Sequence, residues 1–358
     1  MKKFLKILAA ALAVCIIAVG AYAAYVFIAY YRLPDMQELE VEGSRDAQAR
    51  VGETYTAVSY NLGFGAYSAD FGFFMDGGDS ARARSADEVR RNIGGALDTL
   101  VSLDPDVIFI QELDVDSDRS RHVDQAALAE AAFPEASRVF AQNYDSPYLF
   151  YPIYEPIGSS TSGIMTISRF GITSALRRSL PIDKGVMKII DLDRCYSVSR
   201  VDMENGRELV LYNVHLSAYT IDESIVRGQL EMLCADMAGE YAAGNYVVCG
   251  GDFNCDLPGD SREVFGVSGD FSWAQPFNTA LLPEGFSLVT PLDRNAPVPS
   301  TRNADGAYVA GESFVLTLDG FIVSDNVRVL EADAVDTGFE YSDHNPVYIK
   351  FMLEDQPE

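Results

Sequence analysis

The chain has 358 residues, 48% hydrophobic and 11% aromatic, with 53 acidic against 27 basic side chains and a formal net charge of -26. That apolar content supplies one large core or two smaller ones and excludes disorder on a large scale. A surface so acidic repels nucleic acid and anionic lipid head groups at long range, which disfavours a DNA substrate but leaves room for a local positive groove or a bound cation.

Lys2, Lys3 and Lys6 precede an uncharged run over 7–29. As a helix that run is ~35 Å long, enough to cross a bilayer core. A cleaved signal peptide has a shorter apolar region, roughly 7–15 residues, ending in small residues. Ala21-Tyr22-Ala23 offers such a site, but the run stays apolar through Ala24, Val26, Phe27 and Ile28. Val14 before Cys15 also suits lipoprotein cleavage poorly. The expectation is an uncleaved single-pass anchor at 7–30, with a secreted enzyme cut near Ala21–Ala23 as the alternative. The lysines place residues 1–6 in the cytoplasm by the positive-inside rule, so the remainder lies outside the cell membrane.

Residues 31–54, with Asp35, Glu38, Glu40 and Glu42, are polar, acidic and weakly periodic, and read as a stalk. From Tyr55 onward short β-rich runs alternate with a few helices, without an internal repeat or second linker. One large domain over 55–353 with a short tail at 354–358 follows. The pattern predicts strands over 55–60, 107–111, 163–168, 195–201, 208–214, 246–250, 315–323 and 347–351. Ser85 with Glu88 makes a capping box before Val89, Ile93, Leu97 and Leu100. Thr220 with Glu223 makes another before Ile225, Leu230, Leu233 and Met237. Each helix therefore has one buried face, as layers covering a sheet do.

Two long loops, 62–80 and 292–312, stand out, and loops of that length are often functional. The first carries Phe64, Tyr67, Phe71, Phe73, Phe74 and Met75. Packing over a sheet edge is expected of them, with an apolar rim for a lipid or the membrane as the alternative. In the second loop Arg302 and Asn303 are candidates to meet a substrate phosphate. Arg82, Arg84, Arg90 and Arg91 are expected on a solvated helix face, and His122 on the surface. Cys15 lies in the apolar run, and Cys195, Cys234, Cys249 and Cys255 have neither metal-ligand spacing nor an assignable disulfide.

Polar residues close the apolar strands where core residues would be expected. Asn61 follows 57–60, Glu112 follows 107–111, His215 follows 210–214, and Asp252 and Asn254 follow 246–251. Asp319 interrupts a further apolar run, and Asp343-His344 precedes the last one. Strand C-terminal ends in α/β proteins converge on ligand sites. Carboxylates and amide oxygens gathered there suit a hard cation such as Mg²⁺, with Mn²⁺ or Ca²⁺ as alternatives. Taken singly, each of these residues is more often a turn or cap.

Together the strings Ser59-Tyr60-Asn61, Gln111-Glu112-Leu113, Asn213-Val214-His215-Leu216, Gly251-Asp252-Phe253-Asn254, Leu318-Asp319-Gly320-Phe321 and Ser342-Asp343-His344 resemble, in order, the motifs of the endonuclease/exonuclease/phosphatase superfamily. The resemblance spans about Tyr55 to Phe351. It implies a mixed α/β fold, the four-layer α/β/β/α sandwich of DNase I-like proteins, and metal-dependent hydrolysis of phosphate esters. It also implies Glu112 as the main metal carboxylate, with Asn61 and Asp343 completing the site. Asp252 and Asn254 would position or activate water and bind phosphate. His344, oriented by Asp319, and His215 would act on the phosphoryl oxygens, and the general base stays open between Asp252 and His344. Attack on an anionic phosphodiester needs a cation and aimed donors, which such a set provides.

Tethering favours a lipid phosphodiester, while an extracellular nuclease and a phosphatase of a soluble metabolite remain alternatives. A catalytically silent binding domain would be expected to lack some of these groups. Gly320-Phe321 departs from the family's aromatic-first pairing after the aspartate, and the 62–80 insertion reshapes the cleft. The oligomeric state is not legible.

Overall fold

Strands that bury both faces build two seven-stranded sheets, and their inner faces meet in one core. The computed structural model describes residues 1–43, 45–189, 192–218, 223–267 and 274–355. The first sheet runs Gln37–Glu38, Ile172–Ser179, Cys195–Asp202, Glu208–His215, Tyr246–Asp252, Asp319–Ser324, Phe286–Val289 from edge to edge. The second runs Val327–Ala334, Val347–Leu353, Thr54–Asn61, Val107–Ser117, Gly158–Ser168, Ser137–Leu149, Val41–Glu42. Phe109, Ile349 and Phe351 of the second sheet pack on Leu211, Val248 and Phe321 of the first. Each such side chain contributes ~1.5–3 kcal/mol when fully buried.

Helices cover the outer faces. Ala86–Ser102 lays Val89, Ile93, Leu97 and Leu100 in one cluster with Val58, Tyr60, Ile108 and Ile110. Glu223–Ala242 lays Leu230, Leu233 and Met237 in another with Val210, Tyr212 and Val247. The result is the expected four-layer sandwich. Ser85 Oγ accepts from Glu88 N at 3.1 Å, while the Glu88 carboxylate reaches Arg84 N at 2.9 Å, one residue before the cap. The other expected capping pair, Thr220 with Glu223, lies outside the described residues.

Three expectations are corrected. The predicted strand over 315–323 is broken: Val315–Leu316 pairs with Thr301–Arg302, and only Asp319–Ser324 joins the first sheet. Ser300 Oγ takes the N–H groups of Leu318 and Asp319, at 2.9 and 3.1 Å, and so interrupts the ladder. The 31–54 segment is not a free stalk, because Gln37–Glu38 and Val41–Glu42 add one edge strand to each sheet. Leu39 and Val41 pack against the core there. Of the arginines expected on a helix face, Arg82 and Arg84 precede the helix. Arg82 is mostly covered beside Asp118, and Arg84 pairs with Asp70 and Glu88.

The 62–80 loop folds inward as expected. Phe64, Tyr67, Phe71 and Phe73 are buried, with Phe64–Tyr67 and Tyr67–Phe71 ring centroids 5.2 and 5.1 Å apart. The N-terminal helix Lys2–Ala29 has a mean hydropathy of 2.5 in its most apolar window. By length and composition it is able to cross a membrane, a property that signal sequences share.

Candidate active site

Strand register sets one row of the site. Asp252 lies opposite His215 on its parallel neighbour and opposite Asp319 on its antiparallel neighbour. Gly251 permits this approach, since a Cβ there would sit 2.0 Å from Val214 O. The second sheet supplies the facing row, with Asn61 opposite Gln111 and Glu112 next in the chain. Glu112 sits in a β-bulge between Ile110 and Leu113, at φ +51°. A non-glycine residue in that left-handed region costs on the order of 1–3 kcal/mol, and a bulge re-aims its side chain. Asn254 shows the same signature at φ +49°. Its N–H donates to Asp252 Oδ1 and its side-chain amide to Leu216 O, both at 2.9 Å.

The two rows meet at Asp252. Asn61 Nδ2 donates to Asp252 Oδ2 at 3.0 Å and to Glu112 Oε1 at 3.4 Å. His215 Nε2 lies 3.6 Å from Asp252 Oδ2 and 4.0 Å from Glu112 Oε1. His344 Nε2 lies 3.8 Å from the same Asp252 oxygen. His344 Nδ1 bonds Asp319 Oδ2 at 2.8 Å, and that oxygen also accepts from Ser300 and Thr301 hydroxyls at 2.7 and 3.0 Å. Ser342 Oγ donates to Asn61 O at 2.8 Å and to Asp343 Oδ1 at 3.3 Å, which ties the final motif to the first.

Charge separates these groups. Burial, reinforced by Asp319, raises the Asp252 carboxyl against the opposing pull of His344. Burial pushes Asp343 up to about 6, with His344 opposing and Glu112 adding to the rise. For His344 burial works against the cation, but Asp319 with Asp252 and Asp343 outweighs it and raises the imidazole to about 10. His215 goes the other way: burial, then Arg194 and His344, holds it well below the usual range. Its Nδ1 is buried without a hydrogen-bond partner.

Glu112, His215, Asp252, Asn254, Asp343 and His344 line one cleft of about 250 Å³, with Asn61 and Asp319 bonded directly behind them. All the sequence-predicted site residues therefore converge. The oxygen-rich side, Glu112 with Asn61, Asp343 and Asp252, fits a hard divalent cation, which would relieve carboxylates that burial presses toward their protonated form. A second grouping, Asp252, Asp319 and His344, brings one ligand atom each within 4.8 Å of the others. There Asp319 Oδ2 is already engaged by His344 Nδ1 and two hydroxyls, an arrangement better suited to orienting the imidazole than to holding an ion.

Arg302 lines the cleft, but its two terminal nitrogens are turned inward, and its buried Nε has no partner. Its guanidinium is buried and donates to the carbonyls of Asn303, Gly306, Ser68 and Phe71, bracing the aromatic loop. The neighbouring Asn303 lines the cleft with a buried Nδ2 that has no partner, and so retains a donor.

Gln111 and Asn213 escaped the sequence reading as functional groups. Gln111 Nε2 donates to Asn213 Oδ1 at 2.8 Å, and Asn213 Nδ2 donates to Ile110 O and Met165 O at 3.2 and 2.9 Å. This buried network joins the two sheets beneath the cleft. Its signal was an amide inside each of two apolar runs, one residue before Glu112 and two before His215. Arg119 also lines the cleft, bonded to Asp114 at 2.8 Å and stacked 4.1 Å over the Phe64 ring.

A family model described as "Endonuclease/Exonuclease/phosphatase family" matches residues 58–344. No curated protein matches the chain. Among solved structures, an endonuclease/exonuclease/phosphatase from Beutenbergia cavernae is similar, with TM-score 0.56, 14% identity, and 85% of this chain and 72% of that one covered. ANGEL2, a 2',3'-cyclic phosphatase in complex with adenosine-2',3'-vanadate, gives TM-score 0.56 and 16% identity over 89% of this chain and 99% of its own. The human Nocturnin catalytic domain with bound sulfate anion gives 0.52 and 16% over 88% and 97%. At such identities the likeness shows the fold.

Proposed function

We propose that this chain, which belongs to the endonuclease/exonuclease/phosphatase family, is a divalent-cation-dependent hydrolase of phosphate esters held at the outer face of a membrane by its N-terminal helix. One observation carries the catalytic part: Glu112 and Asn61 from one sheet and His215 and Asp252 from the other meet within 4.0 Å contacts at the floor of one cleft. The helix Lys2–Ala29 and the lysines at its start support the tether and its direction.

Glu112, with Asn61 and Asp343, would hold the cation, which when bound offsets charge on the phosphoryl oxygens and makes a bound water more acidic. The oxygen donors suit Mg²⁺, Mn²⁺ and Ca²⁺ alike, and Mg²⁺ is the ion used in the test below. Asp252 takes the proton of the attacking water, and the Asn61 amide and Asn254 N–H keep that carboxylate in place. His344, oriented by Asp319, donates to a phosphoryl oxygen, as an imidazole held in its cationic form does. Asn254 and Asn303 add amide donors. The water oxygen forms a new bond to phosphorus while the bond to the leaving oxygen breaks, and the leaving oxygen takes up a proton from solvent.

The test uses the full chain in phosphatidylcholine proteoliposomes, with Glu112→Ala beside it. Release from bis(4-nitrophenyl) phosphate, sphingomyelin, phosphatidylinositol and plasmid DNA is measured with Mg²⁺ and with chelator. Turnover that disappears with chelator and with Glu112→Ala is expected. Turnover indifferent to both, or none on any substrate by folded protein, would defeat the reading.

A further inference from the structure

The hairpin of Ser137–Leu149 and Gly158–Ser168 ends in the one sustained apolar surface of the described domain. At its tip Phe150, Tyr151, Ile153 and Tyr154 are 53%, 60%, 79% and 69% exposed. Elsewhere in the described domain large exposed apolar residues, such as Met36, Val101 and Leu330, stand singly in the chain. A contiguous exposed patch of this kind marks a binding surface.

The N-terminal helix shows what covers it. Phe150 N donates to Tyr22 Oη at 2.7 Å, Tyr148 N donates to Tyr25 Oη at 3.1 Å, and Tyr22 Oη donates to Tyr148 O at 3.2 Å. Val26 is buried with Leu149 and Ile189, and Ile157 packs on that cluster. From Ile7, where the uncharged run starts, a rise of ~1.5 Å per residue puts Tyr22 ~22 Å along the helix, in the outer half of a ~30 Å bilayer core. The hairpin tip thus stands at the level of the outer leaflet, toward the interface at which aromatic residues settle. The same surface continues into the cleft. Tyr151 lies 5.6 Å from the Phe74 ring, the next residue, Met75, is 51% exposed and lines the cleft, and Ile157 lines it too.

We infer that the tip at 150–154 inserts into the outer leaflet beside the helix and sets the cleft mouth at the head-group layer, so that the substrate is a phosphodiester of a membrane lipid. The net charge of -26 makes that surface a zwitterionic one, because an anionic leaflet repels this chain. The substrate part rests on the hydrolase reading above; the docking part does not.

The full chain in phosphatidylcholine proteoliposomes tests both. In a Cys15→Ala background, Ile153→Cys carries an environment-sensitive fluorophore. Glu204→Cys, in the turn at the far end of the first sheet from His215, is the control. Lipids spin-labelled near the head group are expected to quench the probe at 153 several-fold more than the probe at 204. Equal quenching overturns the docking. Separately, Ile153→Asp with Tyr154→Asp is expected to lower sphingomyelin hydrolysis in vesicles several-fold and leave bis(4-nitrophenyl) phosphate turnover unchanged. Equal effects on the two substrates, or none, overturn the lipid assignment. If the unaltered chain turns over none of the four substrates named above, the hydrolase reading fails and the lipid assignment with it; if it turns over others but no sphingomyelin, the lipid assignment alone fails, and in either case the quenching still decides the docking.

Discussion

His215 and His344 approach the same oxygen of Asp252, at 3.6 and 3.8 Å, yet their surroundings drive them to opposite charge states. Of these two, His344 alone has a carboxylate on its Nδ1. His344→Ala is expected to lower kcat by about 10²–10⁴-fold, the usual contribution of a positioned proton donor, measured on the soluble phosphodiester. Asp319 acts through His344, so Asp319→Asn and His344→Ala should combine to much less than the product of their separate losses. Additive losses would show that Asp319 works elsewhere. The carboxylates yield a pH prediction. Asp252 is raised and Asp343 sits at about 6, so the ion-free site holds protons that a cation must displace. Mg²⁺ affinity should therefore fall as pH drops from about 8 to 5 and level off above about 8, read by calorimetry with proton release in buffers of different ionisation heat. A pH-independent affinity would place the ion away from these groups. Which residues meet here was legible in the sequence from polar residues flanking apolar strands and from six strings that together, though not singly, resemble the family's motifs. Their charge states were not, because those depend on which neighbours packing brings across from the other sheet.

Strands, more than loops, deliver this site, and two of them do it by breaking their own regularity. The bulge at Glu112 turns a strand residue into the cleft, and Gly251 lets its strand lie against Val214 O. Gly251→Ala should cost ~1–3 kcal/mol by overpacking, read as a lowered denaturant midpoint. Beneath the cleft the Gln111–Asn213 bond couples the sheets. Gln111→Leu leaves Asn213 Oδ1 without that donor, at a cost of ~1–3 kcal/mol, and should lower kcat more than it changes KM as the two rows lose their registration. Unchanged kcat with lowered stability would make the network structural alone. The central strands were legible as continuous apolar runs, because both of their faces are covered. Ser137–Leu149 was missed, since its buried positions alternate with Arg138, Gln142 and other partly exposed side chains and include polar ones such as Ser137 and Asn143. Gln37–Glu38 and Val41–Glu42 were hidden the same way, as two-residue edges inside an acidic stretch. The break after Leu316 was illegible because it depends on Ser300, a side chain remote in sequence that takes the backbone donors.

At the scale of the molecule the site is a seam. Glu112 and Asn61 belong to the second sheet, His215, Asp252 and Asp319 to the first, and His344 crosses from the loop before one sheet's last strand to a carboxylate of the other. Acidic groups facing each other across a seam push the sheets apart, and a cation among them pulls the sheets together. A folded-state ligand stabilises by ~2.7 kcal/mol when present at a hundred times its dissociation constant. Mg²⁺ should accordingly raise the thermal midpoint of the full chain in proteoliposomes. Glu112→Gln removes one of the opposed charges together with the main anchor for the ion. That variant should melt at or above the unaltered protein in chelator and below it in saturating Mg²⁺. The crossing of the two curves is the signature, since a merely structural Glu112 lowers the midpoint in both conditions. Parallel curves would mean that the cation, if bound, sits off the seam and that the strained backbone at Glu112 serves packing. A crossing would explain why the fold tolerates a left-handed glutamate in the middle of the strand Val107–Ser117: strain and repulsion in the ion-free state are offset by what the ion and substrate phosphate restore.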